Sequence, residues 1–327
     1  MNRALLAAPF LALSCAAFGQ APSQATVDAH VAEAKRLAGA DLTALLGLCQ
    51  PAPASRPPQA AVDAGIAKNI ARPAPAPGKA FDNLYFVGAA WVSAWAIKTP
   101  EGIILIDALN NGKEAESLID GGLKKLGMDP AAIKYVIVTH AHGDHYGGAQ
   151  YLVSKYKPRI VMSELDWVQT ETKLEFDSPS NWDPAPKRDV SVKDGDQVTL
   201  GGESVTINIT PGHTLGTITP TFDVTSGGRK HRVLLWGGTA FNFGNNIPRM
   251  NSYIEATQRM AKVAQEQGID VMLSNHAGYD GTIPKLEAMK KDPAANPFVI
   301  GTPAVVRGLQ VMGECAQAQR DRYLLQN

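Results

Sequence analysis

The sequence predicts an α/β protein in which β-sheets are covered by helices. Three observations carry this. Apolar residues make up 45% of the 327-residue chain and charged residues 19%, a globular composition with material for a large core. Thirty Gly and 22 Pro imply many loops rather than a helical bundle. Short β-rich runs alternate with helical text in two successive halves, which favours sheets flanked by helices. Lys plus Arg and Asp plus Glu balance at 31 each, so no clustered basic face points to nucleic acid. Three Cys exclude a disulfide-dense scaffold and a cysteine-rich zinc module.

Residues Met1 to Gly19 (MNRALLAAPFLALSCAAFG) read as a secretory signal peptide. Arg3 opens it, an apolar stretch follows, and Ala17-x-Gly19 offers the cleavage site. Cys15 is out of register for a lipoprotein site. No later run reaches the roughly 18 apolar residues of a membrane span, so a periplasmic or secreted protein, with no membrane contact after cleavage, is expected. Asp28 to Leu46 has helical spacing, with Gly47 as the stop. Pro51 to Gly78 is Ala/Pro-rich and reads as an extended arm without regular elements. The chain thus divides into a signal peptide at 1–19, a helix and arm at 20–80, and a compact domain at 81–327.

Within that domain, NLYFVG, WVSAWAIKT and GIILIDA are strand text separated by turn residues. Asn111 to Leu126 reads as helix. Tyr135 to Thr139 (YVIVT) is an uninterrupted apolar run, as in a strand buried on both faces. Helical text follows at Tyr146 to Tyr156. The second half offers strands at Gln197–Leu200, Ser204–Ile209, Ile218–Val224 and Arg232–Trp236. A helix at Ser252–Gln267, a strand at Asp270–Leu273 and helices at Thr282–Lys291 and Pro303–Leu325 close the chain.

Three of the seven His fall in the string THAHGDHYGG, at His140, His142 and His145. It follows the buried strand, where α/β proteins place their sites. His140 and His142, alternating in an extended turn, can aim two imidazoles at one ion. Asp144 and His145 then face a second position. Gly143, Gly147 and Gly148 let the backbone turn tightly there. His231, beside Lys230 and Arg232, and His30, in the N-terminal helix, read as ordinary surface residues.

HAHGDH resembles the H-x-H-x-D-H signature of the metallo-beta-lactamase fold superfamily. The resemblance runs from about Phe81 to Gly281, including TPGH213TLG and SNH276AG as the later metal-binding turns. It implies an αββα sandwich of two mixed β-sheets. It also implies one zinc held by His140, His142 and His213 and a second held by Asp144, His145 and His276. That ligand set, with FDNLYFVG and DGDQVTLGG, is similar to subclass B3 of the metallo-beta-lactamases. The implied reaction is hydrolysis of a small-molecule β-lactam by water activated between two zinc ions, with Asp144 orienting it and relaying its proton. No nucleic-acid partner is implied, and a monomer is expected.

Two departures from the family pattern stand out. Thioesterases of the superfamily carry a bridging Asp in a G-D-T-like turn, and LLW236G237G238T239A240F241 offers no carboxylate there. B3 enzymes carry hydroxyls in that turn for the substrate carboxylate, so Thr239 and Asn242 are the candidates here. Trp91 stands where a Gly is common and is a further substrate-binding candidate. A lactone or thioester remains the alternative substrate. Cys49 and Cys315 are the two Cys left after signal removal, and in an oxidising compartment a disulfide between them is expected, with two buried free thiols as the alternative.

Overall fold

The computed structural model describes residues 21–292 and 295–326. The expected signal peptide and Cys15 lie outside the described residues. Two sheets stack face to face, each covered by helices on its outer side, as expected.

The first sheet has seven strands in sequence order: β1 Gly78–Phe81, β2 Leu84–Phe86, β3 Trp95–Thr99, β4 Gly102–Ile106, β5 Ile133–Ile137, β6 Arg159–Ser163 and β7 Val190–Val192. β1 to β4 are antiparallel neighbours, and β4 to β7 are parallel. The second sheet holds β8 Gln197–Leu200, β9 Glu203–Ile209, β10 Ile218–Ser226, β11 Arg229–Trp236 and β12 Val271–Ser274, in the order β12-β11-β10-β9-β8. Only β11 and β12 pair in parallel there. Both sheets are therefore mixed.

Strand alternation sorts side chains between layers. Ile104 and Ile106 of β4 face inward to meet Val233 and Leu235 of β11 in the inter-sheet core. Their neighbours Ile103 and Leu105 face outward. They pack under α3 Gly112–Glu114, the π-turn Ala115–Asp120, α4 Gly121–Lys125, α6 Ala149–Tyr156 and α7 Glu164–Thr172. On the other side Leu234, Trp236 and Met272 meet α8 Ile247–Gln267 and α11 Thr302–Leu324. Short α5 Gly143–Tyr146 and α9 Ala277–Asp280, and α10 Thr282–Lys291, complete the set.

The N-terminal segment departs from expectation. Helix α1 spans Gln24–Ala38, starts on a Ser23–Thr26 capping box and ends at Gly39. A 3-10 turn, Thr43–Cys49, follows, so the helix does not run to Leu46. The Ala/Pro-rich arm is not uniformly extended, because α2 occupies Gln59–Ile70. Its prolines fall at Pro51–Pro58 and Pro73–Pro77, and the proline-free, Ala-rich stretch 59–72 between them carries the helix. The expected boundary at Phe81 falls on the last residue of β1. Helix α1 and the 3-10 turn pack on α11, and Cys49 and Cys315 form the disulfide. No helix among the described residues is long and apolar enough to cross a membrane.

Candidate metal centre

The strand ends of both sheets converge at one edge of the sandwich. His140, His142, Asp144 and His145 follow β5, with α5 carrying the last two. His213 lies between β9 and β10, and His276 follows β12. Trp182 lies against Gly143, where a Cβ would meet its ring at 2.4 Å, so only glycine admits that close approach.

The first group is a tight triangle. His140 Nε2 and His142 Nδ1 are 3.0 Å apart, and His213 Nε2 is 3.1 Å from each. His140 Nδ1 is 2.7 Å from the Gly237 carbonyl, and His213 Nδ1 is 2.7 Å from that of Ala240. A carbonyl can only accept, so each Nδ1 donates and each Nε2 keeps a lone pair. Burial holds His140 well below the usual imidazole range and His213 at about 3. Neither ring then takes a second proton at neutral pH. One hydrogen on His142 Nδ1 cannot point at both lone pairs, whereas a cation at the centre satisfies all three atoms.

The second group is looser. Asp144 Oδ2 is 3.4 Å from His145 Nε2 and 3.7 Å from His276 Nε2. His140, Asp144 and His145 offer ligand atoms within 4.8 Å of one another, and His276 stands just outside that set. His145 Nε2 is buried without a hydrogen-bond partner, a position a metal ion would fill. Burial would lower His145, but the Asp144 and Asp107 carboxylates outweigh it and raise it to about 10. Burial would likewise raise Asp144, but neighbouring His145 and His276 hold its carboxyl well below the ordinary range. Burial lowers His276 to about 4. Nitrogen and carboxylate donors of this kind fit a metal ion.

Three further residues position the ligands, and the sequence reading missed them. Asp107 accepts from Thr139 N at 2.8 Å and from His145 Nδ1 at 2.7 Å, fixing that ring. Its φ of +63° is a rare conformation for a non-glycine residue, held here by these bonds. Asp166 accepts from Ala141 N at 2.8 Å, Thr214 Oγ1 at 2.7 Å and Gly216 N at 2.9 Å, tying the first two ligand loops together. Burial raises it to about 6 despite these bonds. Asn275 donates to the Gly237 carbonyl at 2.6 Å, between the third and fourth loops. Asp107 directly follows the apolar strand β4, which pairs with the strand that carries the first ligands, and that position was its one legible signal.

The substrate candidates separate. Trp91 and Asn242 line a cleft of about 510 Å³ together with His142, Asp144, His213 and His276. The Trp91 carbonyl faces His276 Nδ1 at 3.1 Å, and its ring lies 5.5 Å from that imidazole. Thr239 does not reach this cleft. It is buried, its hydroxyl is 3.0 Å from Ser274 Oγ, and it lines a separate cavity behind the site. His30 and His231 are not simple surface residues: each has a ring nitrogen 2.6 Å from a carboxylate, Glu314 and Asp270 respectively.

Fold and site together define an αββα protein with buried imidazoles and a carboxylate gathered for a metal at its strand ends. Residues 90–226 match the family model of the metallo-beta-lactamase superfamily. BJP-1, a subclass B3 metallo-beta-lactamase of Bradyrhizobium japonicum, is similar at 30% identity and a TM-score of 0.63, over 74% of this chain and 92% of that one. The FEZ-1 metallo-beta-lactamase from Legionella gormanii is similar at 25% identity and 0.64, over 78% and 97%. The chain belongs to the metallo-beta-lactamase superfamily. A hydroxyacylglutathione hydrolase of Rhodopseudomonas palustris (strain BisB5) is 32% identical over 149 residues, 46% of this chain and 44% of that protein. One from Acidiphilium cryptum is 31% identical over 90 residues, 28% and 31%. The chain thus spans less than half the length of these curated relatives.

Proposed function

We propose that this chain is a zinc hydrolase that opens β-lactam rings, with His140, His142 and His213 holding one zinc and Asp144, His145 and His276 a second. The observation that carries the choice of substrate is Gly238. It occupies the turn where thioesterases of this superfamily place a bridging carboxylate. A Cβ there would meet His213 Cβ at 2.6 Å, so the turn is built around a missing side chain. Backbone carbonyls of Gly237 and Ala240 face the ligand rings instead.

Bound zinc would supply Lewis acidity and an acidified water. The chain supplies the rest. Asp144, ionised and lining the cleft from the second group, is the carboxylate placed to accept a proton and orient the attacking water. Trp91, Phe176 and Trp182 wall the cleft and limit its water. Among the described residues no Ser, Thr or Cys lines it, so this cleft offers no acyl-enzyme for clavulanate-type inhibitors to trap. The substrate is a small molecule and the protein a monomer. The Cys49–Cys315 disulfide supports a periplasmic or secreted location, since such bonds persist in oxidising compartments.

The names of the curated relatives favour one second reading, a thioester or lactone hydrolase. Purified zinc-loaded protein should open nitrocefin and carbapenems and lose that activity with a chelator. Intact β-lactams beside a cleaved thioester or lactone would replace the first reading with the second.

A further inference from the structure

The ligands form one side of the cleft, and α2 forms the side facing it. Ile66 and Asn69 on the last turns of this helix, and Arg72 just past its end, line the cleft. A neighbouring cavity of about 460 Å³, mainly apolar, is lined by Val62 and Phe241 among others. Ile66, Asn69, Phe176, Asn242 and Tyr279 line both spaces, so the two form one continuous groove.

The helix is fixed against the ligand loops. Ser178 Oγ donates to Asp63 Oδ1 at 2.6 Å, and Asn181 Nδ2 donates to the Asp63 carbonyl at 3.0 Å. The same loop carries Trp182, which lies on Gly143 in the HAHGDH turn.

Charge picks out one residue. Among the described residues, Arg72 is the lysine or arginine lining the metal cleft and Asp144 its carboxylate, while Arg56 of the adjoining cavity lies 4.7 Å over the Phe176 ring, away from the ligands. The Arg72 guanidinium is exposed and has no hydrogen-bond or ion-pair partner among the described residues. Arg249, by contrast, is engaged by Glu175 and by the Gly212 and His213 carbonyls. A guanidinium fork lining the same cleft as the Asn69 carboxamide suits a carboxylate. Thr239, the candidate for that task, is buried elsewhere.

We propose that α2 is the substrate-anchoring wall: Arg72, with Asn69, takes a carboxylate of the substrate, and the groove along Val62, Ile66 and Phe241 takes its apolar arm. The substrate class is an anion with an apolar substituent. The inference rests on the hydrolase reading for its catalytic readout, but not on which bond is cleaved.

The test compares Arg72→Ala with Arg72→Lys and with Lys68→Ala, an exposed cation on α2 that does not line the groove. For a carboxylate-bearing substrate, Arg72→Ala should raise KM about 10–100-fold with little change in kcat, whereas its methyl ester should respond less than about twofold. Arg72→Lys should recover part of the loss, and Lys68→Ala should match the wild type. Binding is read separately, by tryptophan fluorescence with phenylacetate, phenylbutyrate and phenylacetamide on zinc-loaded protein. The wild type should prefer the acids to the amide and the longer arm to the shorter. Arg72→Ala should erase the first preference and Ile66→Ala the second. Protein that opens no β-lactam but keeps this binding pattern defeats the lactamase reading and leaves the anchor standing. Unchanged phenylacetate binding in Arg72→Ala, or an equal response of acid and ester, overturns the anchor.

Discussion

The two ligand groups are built by different means. His140, His142 and His213 meet within 3.1 Å, almost wholly buried, and backbone carbonyls fix two of their rings. Asp144, His145 and His276 stand 3.4 to 3.7 Å apart, and His276 is part-exposed. A carboxylate, not a carbonyl, holds His145. The Gly237 and Ala240 carbonyls of the turn after β11 do not titrate, so the first group is pre-shaped for a metal ion. The second depends on charges that compete with protons, so its ion should be the exchangeable one.

The comparison breaks most sharply with His140→Ala. That change removes one corner of the triangle and a ring close to both groups, so it should abolish turnover and leave at most one weakly held metal per chain. Metal analysis after dialysis with two ions retained would contradict it. Asp144→Ala comes next. It should cut kcat by about 10²–10⁴-fold, the usual range for a proton-transferring group. It should empty the second position and leave the first filled, which equal loss of both ions would refute.

Acidity sharpens the contrast further. His145 is raised to about 10, so the metal-free site holds its proton at neutral pH, and a metal must displace it. His213, at about 3, offers no such competition. As pH falls from 8 to 5 the second ion should leave while the first stays. Simultaneous loss in a metal-content titration would remove the distinction. Asp107→Asn is milder: about 10–100-fold weaker binding at the second position, with the first unchanged, as expected when the partner orienting a ligand imidazole is altered. Asp166→Asn should have the smallest effect on metal. It replaces one of two accepting oxygens with a donor facing an N–H or hydroxyl, and should lower stability by about 1–3 kcal/mol, read as a lower Tm at neutral pH.

The legibility of the two groups in the sequence follows the same division. HAHGDH gathers four ligands within six residues, and each remaining histidine sits in a short turn after strand text. Asp107 and Asp166 act across 38 and 48 residues, on His145 and Thr214, so no local spacing marks them. Thr239 went the other way: its position in the turn was legible, but the direction of its hydroxyl was set by packing against Ser274. In the fold, the sandwich strands were readable from apolar runs. Three went unread, the four-residue β1 at the end of the arm, β6 (RIVMS) and the three-residue β7, because such short strands carry little periodicity of their own. Helix α2 was hidden because composition averaged over residues 51–78 blends two proline clusters with the stretch between them.

The Cys49–Cys315 bond spans 266 residues and joins the segment before α2 to the last helix. During synthesis the first of these cysteines emerges long before its partner exists. The metal-binding loops and the sheets that present them are complete well before α11 leaves the ribosome. The covalent tie before α2 closes only at the end, and only where thiols are oxidised, whereas the hydrogen bonds from Ser178 and Asn181 to Asp63 hold α2 without it. Assembly therefore ends with the covalent closure of the chain. A chain kept in a reducing compartment would keep its metal-binding loops and lack only that covalent tie between its two ends.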